Sequence, residues 1–314
     1  MRHVPGRIGG AGAIVIAAIA CLATIGALVI HLGAVPYFES RLLITQDSTT
    51  TTTTPESYGV AYRATTIDSH GRFLRAWTVD AGAKTPAILF FHGNGQTIHD
   101  LACVQAYLYR HGVSSMVFDY SGFGRSTGKA TVHNLDQDAL AAWRAFVAWA
   151  GPTRAKFAVG YSLGTGVLLH AAAKFKQRPD GIAVYGAFSS IKHAIVHLRD
   201  APAWLAPLGP DIWDNVAAAS HLDAPLLVVA GADDTIVPPA MGRPIAMEAS
   251  NARGGRYVLI PGVGHDGIVA HMSAVWSPIL DFIQAHVAAR TMVARGSVAG
   301  PASSTAPGIT AQPL

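Results

Sequence analysis

Six short apolar runs recur between residues 87 and 260, separated by longer stretches of helical periodicity, and this alternation constrains the chain more than any other feature. The runs are AILFF (87–91), SMVFDY (115–120), KFAVGY (156–161), GIAVYGAF (181–188), PLLVVAG (225–231) and RYVLI (256–260). A strand covered on both faces reads as a continuous apolar run, and helices between such strands supply the covers. The pattern therefore predicts an α/β fold with a mostly parallel sheet and helices on both faces. Upstream, YRATTID and FLRAWTV flank the turn sequence SHGR, which predicts an antiparallel hairpin at the sheet edge and about eight strands in all. Helical stretches fall at about 98–109, 135–150 and 163–176. Residues 189–224 are too many for a plain connection and are expected to form a small helical lid.

Half of the 314 residues are apolar and 13% are charged, enough for one large core, which we place at residues 56–294. Both ends read as extensions. Residues 8–38 contain no Asp, Glu, Lys or Arg, and the apolar stretch inside them exceeds the middle region of a signal peptide. Residues 12–34 are therefore expected to be a transmembrane anchor behind a short segment 1–11, with a cleaved signal peptide as the alternative. Arg2 and Arg7 precede the span, against Glu39 and Arg41 after it, which favours a domain on the extracytoplasmic, periplasmic side. Residues 35–55 include a threonine tract and read as a polar tether, and 295–314 as a disordered tail. Cys21 lies in the span and Cys103 in a helical stretch, so no disulfide is expected. The net charge of +4 is spread along the chain without a basic, aromatic-interleaved run, which argues against a nucleic-acid partner.

The sequence Gly160-Tyr161-Ser162-Leu163-Gly164 sits where a buried strand ends and a helix begins. That is the setting of a nucleophile elbow: the turn strains the serine backbone, the glycines allow strand and helix to close together, and the helix start offers N–H groups to an oxyanion. A serine capping the helix on a glycine turn is the plainer reading of the string alone. A serine nucleophile needs a base and an orienting acid. Both follow in order: Asp233 and Asp234 just past the fifth run, and His265 just past the sixth, all at strand carboxyl ends where sites of open parallel sheets collect. Neighbours in an extended segment point to opposite sides, so only one of the two aspartates can face His265, and the residues alone do not choose. After the first run, His92-Gly93-Asn94-Gly95 offers a second donor: the backbone N–H groups of Asn94 and Leu163 are the candidate oxyanion hole.

On HGNG (92–95), DYSGFGRSTG (119–128), GYSLGTG (160–166), GADDTIVP (231–238) and GVGHDG (262–267), residues 56–290 resemble an α/β-hydrolase, specifically the membrane-anchored Bem46-like group related to the ABHD13 and ABHD17 serine hydrolases. The resemblance implies an α/β-hydrolase fold and an acyl-ester or thioester hydrolase that needs no cofactor. It implies Ser162, Asp234 and His265 as the triad. The choice of Asp234 rests on the family's acid standing four residues before the proline, here Pro238. The implied partners are a small-molecule or lipid-like acyl substrate and the membrane, with no obligate protein partner evident.

Other constellations read blandly. DYSGFGRSTG is glycine-rich and holds Arg125, yet lacks the lysine signature of a phosphate cradle. His193 and His197 stand one helical turn apart without an acidic or cysteine partner at ligand spacing, so no metal is expected. Trp204 and Trp213 in the expected lid are candidate acyl-pocket residues, although packing onto the domain is the ordinary fate of such side chains. Two other functions stay open: a serine peptidase, with Asp200, Asp211, Asp214 or Asp223 gripping a substrate amino terminus, and a membrane-anchored binding protein with an idle triad.

Overall fold

The computed structural model describes residues 15–22, 24–26, 33, 43, 52–197, 212–252 and 254–298. Its centre is one eight-stranded sheet in the order β1-β2-β4-β3-β5-β6-β7-β8. The strands are β1 (Arg63–Ser69), β2 (Arg72–Val79), β3 (Ala87–Phe91), β4 (Ser114–Phe118), β5 (Lys156–Tyr161), β6 (Gly181–Tyr185), β7 (Leu226–Gly231) and β8 (Gly255–Ile260). The pairs β1–β2 and β2–β4 are antiparallel, and the remaining neighbours are parallel. Every residue of β3, β4, β5, β6 and β7 is buried, because helices cover both faces there. At the edges β1 mixes buried and exposed positions, and β8 has only half-buried and exposed ones.

The helices are α1 (Ala102–Arg110), α2 (Val132–Ala150), α3 (Leu163–Ala172), α4 (Ile191–His197), α5 (Asn215–Ser220), α6 (Gly242–Ala252), α7 (Gly267–Ala270) and α8 (Met272–Val298). One apolar core gathers Leu135, Phe146, Leu168 and Ile245 from α2, α3 and α6; the other gathers Val104, Leu108, Trp276 and Ile283 from α1 and α8. The helix α8 carries Pro278 inside it and runs four residues past the domain end expected at 294. The lid expected at 189–224 is described only at its two ends, α4 and the segment from Ile212, and residues 198–211, Trp204 among them, lie outside the described residues.

The hairpin turn uses His70 (φ 53°) and Gly71 (φ 80°), the pair of left-handed residues that a two-residue turn between twisted strands requires. Asp138 of α2 fastens this hairpin to the domain. It is fully buried, accepts the Ser69 hydroxyl at 2.6 Å and the Ser121 N–H at 2.7 Å, and pairs with Arg72 at 3.2 Å. Residues 15–22 and 24–26 are helical, with Val15, Ile16, Ile19, Leu22 and Ile25 exposed. The rest of the anchor expected at 12–34, other than residue 33, lies outside the described residues, and among the described residues no helix is long and apolar enough to cross a membrane.

Replacing Asp138 by Ala strips a partly buried guanidinium and two buried donors of their acceptor. It should lower unfolding free energy by about 3 kcal/mol, read as a fall in the urea midpoint at unchanged slope.

Candidate active site

Ser162 is the single residue between β5 and α3, and its backbone is strained, with φ 49° and ψ −116° in a non-glycine residue. Three hydrogen bonds hold that geometry. Its N–H donates to the Tyr185 carbonyl at 3.0 Å, and its carbonyl accepts the N–H of Thr165 at 2.9 Å and the Thr165 hydroxyl at 2.7 Å. The two flanking glycines are a steric necessity: a Cβ on Gly160 would lie 2.8 Å from the Gly164 carbonyl oxygen, and one on Gly164 would lie 2.1 Å from that of Phe91.

His265, in the loop after β8, faces this serine. Its Nε2 is 2.9 Å from Ser162 Oγ and its Nδ1 is 2.8 Å from Asp234 Oδ2. A carboxylate only accepts, so the imidazole proton sits on Nδ1 and leaves Nε2 to accept the serine O–H. Asp234 is 4% exposed, and its second oxygen accepts the N–H groups of Ile236 and Val237 at 3.0 and 2.8 Å. Asp233 is exposed, and its N–H ties the β7 loop to the Val263 carbonyl at 3.0 Å. The structure thus places Asp234, not Asp233, against His265.

Two further residues shape this corner without any signal in the sequence pattern. Gly186, at φ 62° just after β6, leaves room for the imidazole, since a Cβ there would come within 3.1 Å of His265 Cε1. The Tyr185 hydroxyl donates to the Gly264 carbonyl, pinning the residue before His265, and burial holds its phenol well above the ordinary range, so it stays a donor.

The loop 92–95 leaves β3 and passes beside the start of α3. A Cβ on Gly164 would also meet the His92 carbonyl oxygen at 2.8 Å, so Asn94, half-buried, and Leu163, the first residue of α3, belong to neighbouring backbones. The first N–H groups of a helix lack intrahelical acceptors, which leaves Leu163 free to serve an oxyanion. Beneath the loop His92 is fully buried and donates from Nδ1 to the Gly93 carbonyl at 2.8 Å. Burial pushes His92 down to about 4, and it pushes neighbouring Asp119, 3.9 Å from His92 Nε2, up to about 7. His92 is therefore neutral at pH 7, and Asp119 is neutral below about pH 7.

Residues 86–207 match the family described as alpha/beta hydrolase fold. An esterase of Pyrococcus furiosus superposes on 77% of this chain and 96% of its own, with a TM-score of 0.61 at 15% identity. The chain has the α/β-hydrolase fold. An uncharacterised protein of Mycobacterium tuberculosis (strain CDC 1551) is 31% identical over 59% of this chain and 65% of its own. The lysophosphatidylserine lipase ABHD12 of Danio rerio is 27% identical over 56% of this chain and 51% of its own. The chain thus covers less than two thirds of either relative's length.

The remaining sequence candidates lie as follows. Trp213 is 3% exposed; its Nε1 donates to Asp136 at 3.1 Å and its ring is packed against Gly166 of α3, a place in the core and not on an open wall. Asp214 caps α5 by accepting the Ala217 N–H at 3.0 Å, and Asp223 precedes β7, at the end of the strand opposite to Asp234. Asp200 and Asp211 lie outside the described residues. The Nδ1 of exposed His193 is 3.0 Å from each of two serine hydroxyls, Ser189 and Ser190, and no cluster of metal-ligating side chains occurs among the described residues. A cavity of about 260 Å³ next to Tyr161 carries the exposed carboxylates of Asp100 and Asp266.

Gly164→Ala should cost about 3 kcal/mol, because backbone atoms, unlike a flexible side chain, cannot step aside for the methyl group. A urea midpoint equal to that of the unsubstituted protein would contradict the packing described.

Proposed function

We propose that this chain is a serine hydrolase that cleaves acyl ester or thioester bonds. The observation that carries the reading is the relay from Ser162 Oγ to His265 Nε2 and from His265 Nδ1 to Asp234 at the carboxyl ends of parallel strands. His265 takes the hydroxyl proton as Ser162 attacks the acyl carbon, and Asp234 steadies the imidazolium that forms. The backbone N–H groups of Asn94 and Leu163 receive the negative charge on the carbonyl oxygen. The imidazolium then protonates the departing alcohol or thiol, and a water activated by His265 releases the acid from the acyl-enzyme. No cofactor enters these steps.

A lipid-like acyl substrate is supported by the lipase and esterase names among the similar proteins. It is also supported by the uncharged, apolar segment 12–34, which we read as a membrane anchor that holds the domain on the extracytoplasmic side, as in the Bem46-like group. The carboxylates of Asp100 and Asp266 beside Tyr161 favour a second reading, in which the acyl group bears an ammonium, as an aminoacyl ester or amide does.

A fluorophosphonate probe should label the protein and not Ser162→Ala, whose turnover should fall on the order of 10³-fold or more. Labelling that survives the substitution removes the serine from the mechanism, and absence of labelling in the unsubstituted protein favours an idle triad. Asp234→Asn should lower kcat roughly 10⁴-fold through the wrong histidine tautomer, and Asp233→Asn far less. A panel of acyl esters, thioesters and aminoacyl amides separates the two substrate readings.

A further inference from the structure

The glycine-rich stretch 119–128 contributes Arg125, for which the serine chemistry has no use. Its backbone is laced to β2. The Asp119 N–H donates to the Arg75 carbonyl at 2.9 Å, the Ser126 hydroxyl accepts the Arg75 N–H at 2.9 Å, and Thr127 exchanges bonds with Phe73 at 3.0 and 2.8 Å. Arg75 and Arg125 therefore rise from adjacent backbones and face one cavity of about 320 Å³ between β1, β2 and the approach to α1. Both are exposed, and among the described residues neither forms an ion pair with a carboxylate. Among the described residues the Arg75 guanidinium donates only to the Thr66 hydroxyl, at 3.2 Å.

The rest of the wall is of a different character. Tyr62, Trp77 and His99 form an edge-to-face row, with ring centroids 5.0 and 4.7 Å apart, and most of the lining is apolar. Asp119 lies at the floor. It is 1% exposed, and its carboxyl is faced by the backbone N–H groups of Ile98, at 2.7 Å, and of Arg125. Because burial pushes this carboxyl up to about 7, below that pH the floor is a neutral acid that does not repel an anion. The volume is at the lower end of ligand cavities, roughly 300–1,000 Å³. Two guanidinium forks left without a carboxylate, side by side over an apolar recess, match a doubly charged oxyanion attached to an apolar group.

We propose that this cavity binds an organic phosphate, its phosphate bridging Arg75 and Arg125 and its apolar part resting against Tyr62 and Trp77. The same chemistry is offered by a soluble phosphomonoester and by the headgroup of a phospholipid. The inference does not depend on the role of Ser162, because its test reads binding alone.

The full chain in a nonionic detergent is titrated calorimetrically with phenyl phosphate, with lysophosphatidic acid and with benzoate. Saturable binding of phenyl phosphate is expected if a soluble phosphomonoester suffices; binding of lysophosphatidic acid alone would point to the lipid headgroup, and either result supports the site. Each of Arg75→Gln and Arg125→Gln should weaken the binding about tenfold, and benzoate, with one charge, should bind at least about tenfold more weakly than phenyl phosphate. Both variants should keep the circular dichroism spectrum and the fluorophosphonate labelling of the unsubstituted protein, which separates loss of this site from misfolding and from any failure of the hydrolase reading. The proposal is overturned if neither phosphate saturates, if both variants bind as the unsubstituted chain does, or if benzoate binds as tightly as phenyl phosphate.

Discussion

The start of α3 meets the end of β3 with no space for a single methyl group between them. That contact, between the Gly164 backbone and the carbonyls of Phe91 and His92, makes one corner of separate elements. It fixes where the helix can begin, and so forces the tight, strained turn at Ser162. It also sets the loop after β3 alongside the helix start, bringing the backbones of Asn94 and Leu163 together. Interiors packed this densely transmit shape from one element to the next, so the glycine matters less for its flexibility than for the absence of a side chain.

Around that corner the rest of the sheet acts as a jig. β5 delivers the serine, the end of β6 supplies a carbonyl for its N–H, and the loops after β7 and β8 present Asp234 and His265 from neighbouring strands. None of these side chains is held by its partners alone. Asp234 is clamped by two backbone donors, and the histidine loop is pinned by a tyrosine hydroxyl from the strand two places away in the sheet.

The apolar runs carried most of this plan. KFAVGY and AILFF coincide with β5 and β3, because strands covered on both faces leave a pattern independent of distant contacts; in the hairpin, β1 is shifted by one residue at each end and β2 begins one residue early. The helices were less legible. α6 is polar enough to resemble a loop, and α8 holds Pro278 and Gly296, residues that ordinarily end a helix but here lie in one that packs Trp276 and Ile283 into the core. At the site, Ser162 and His265 followed from strand ends, whereas the choice between Asp233 and Asp234 came from resemblance, since it depends on how a loop turns after the strand. Gly186 and Tyr185 were invisible for the same reason: what they touch lies on other strands. Trp213 shows the converse, an aromatic whose burial against α3 could not be told from a pocket wall by spacing.

Ser162 and His265 are 103 positions apart in the chain, and the histidine follows the strand at the sheet's edge. As the polypeptide is made, the elbow needs β3, β5, α3 and the end of β6, whereas the imidazole arrives only after β8 has been synthesised and laid against β7. A nascent chain thus carries its serine hydroxyl unarmed until nearly the whole domain has emerged. In the reading proposed above, the relay is completed late, by a loop that follows the sheet's edge strand.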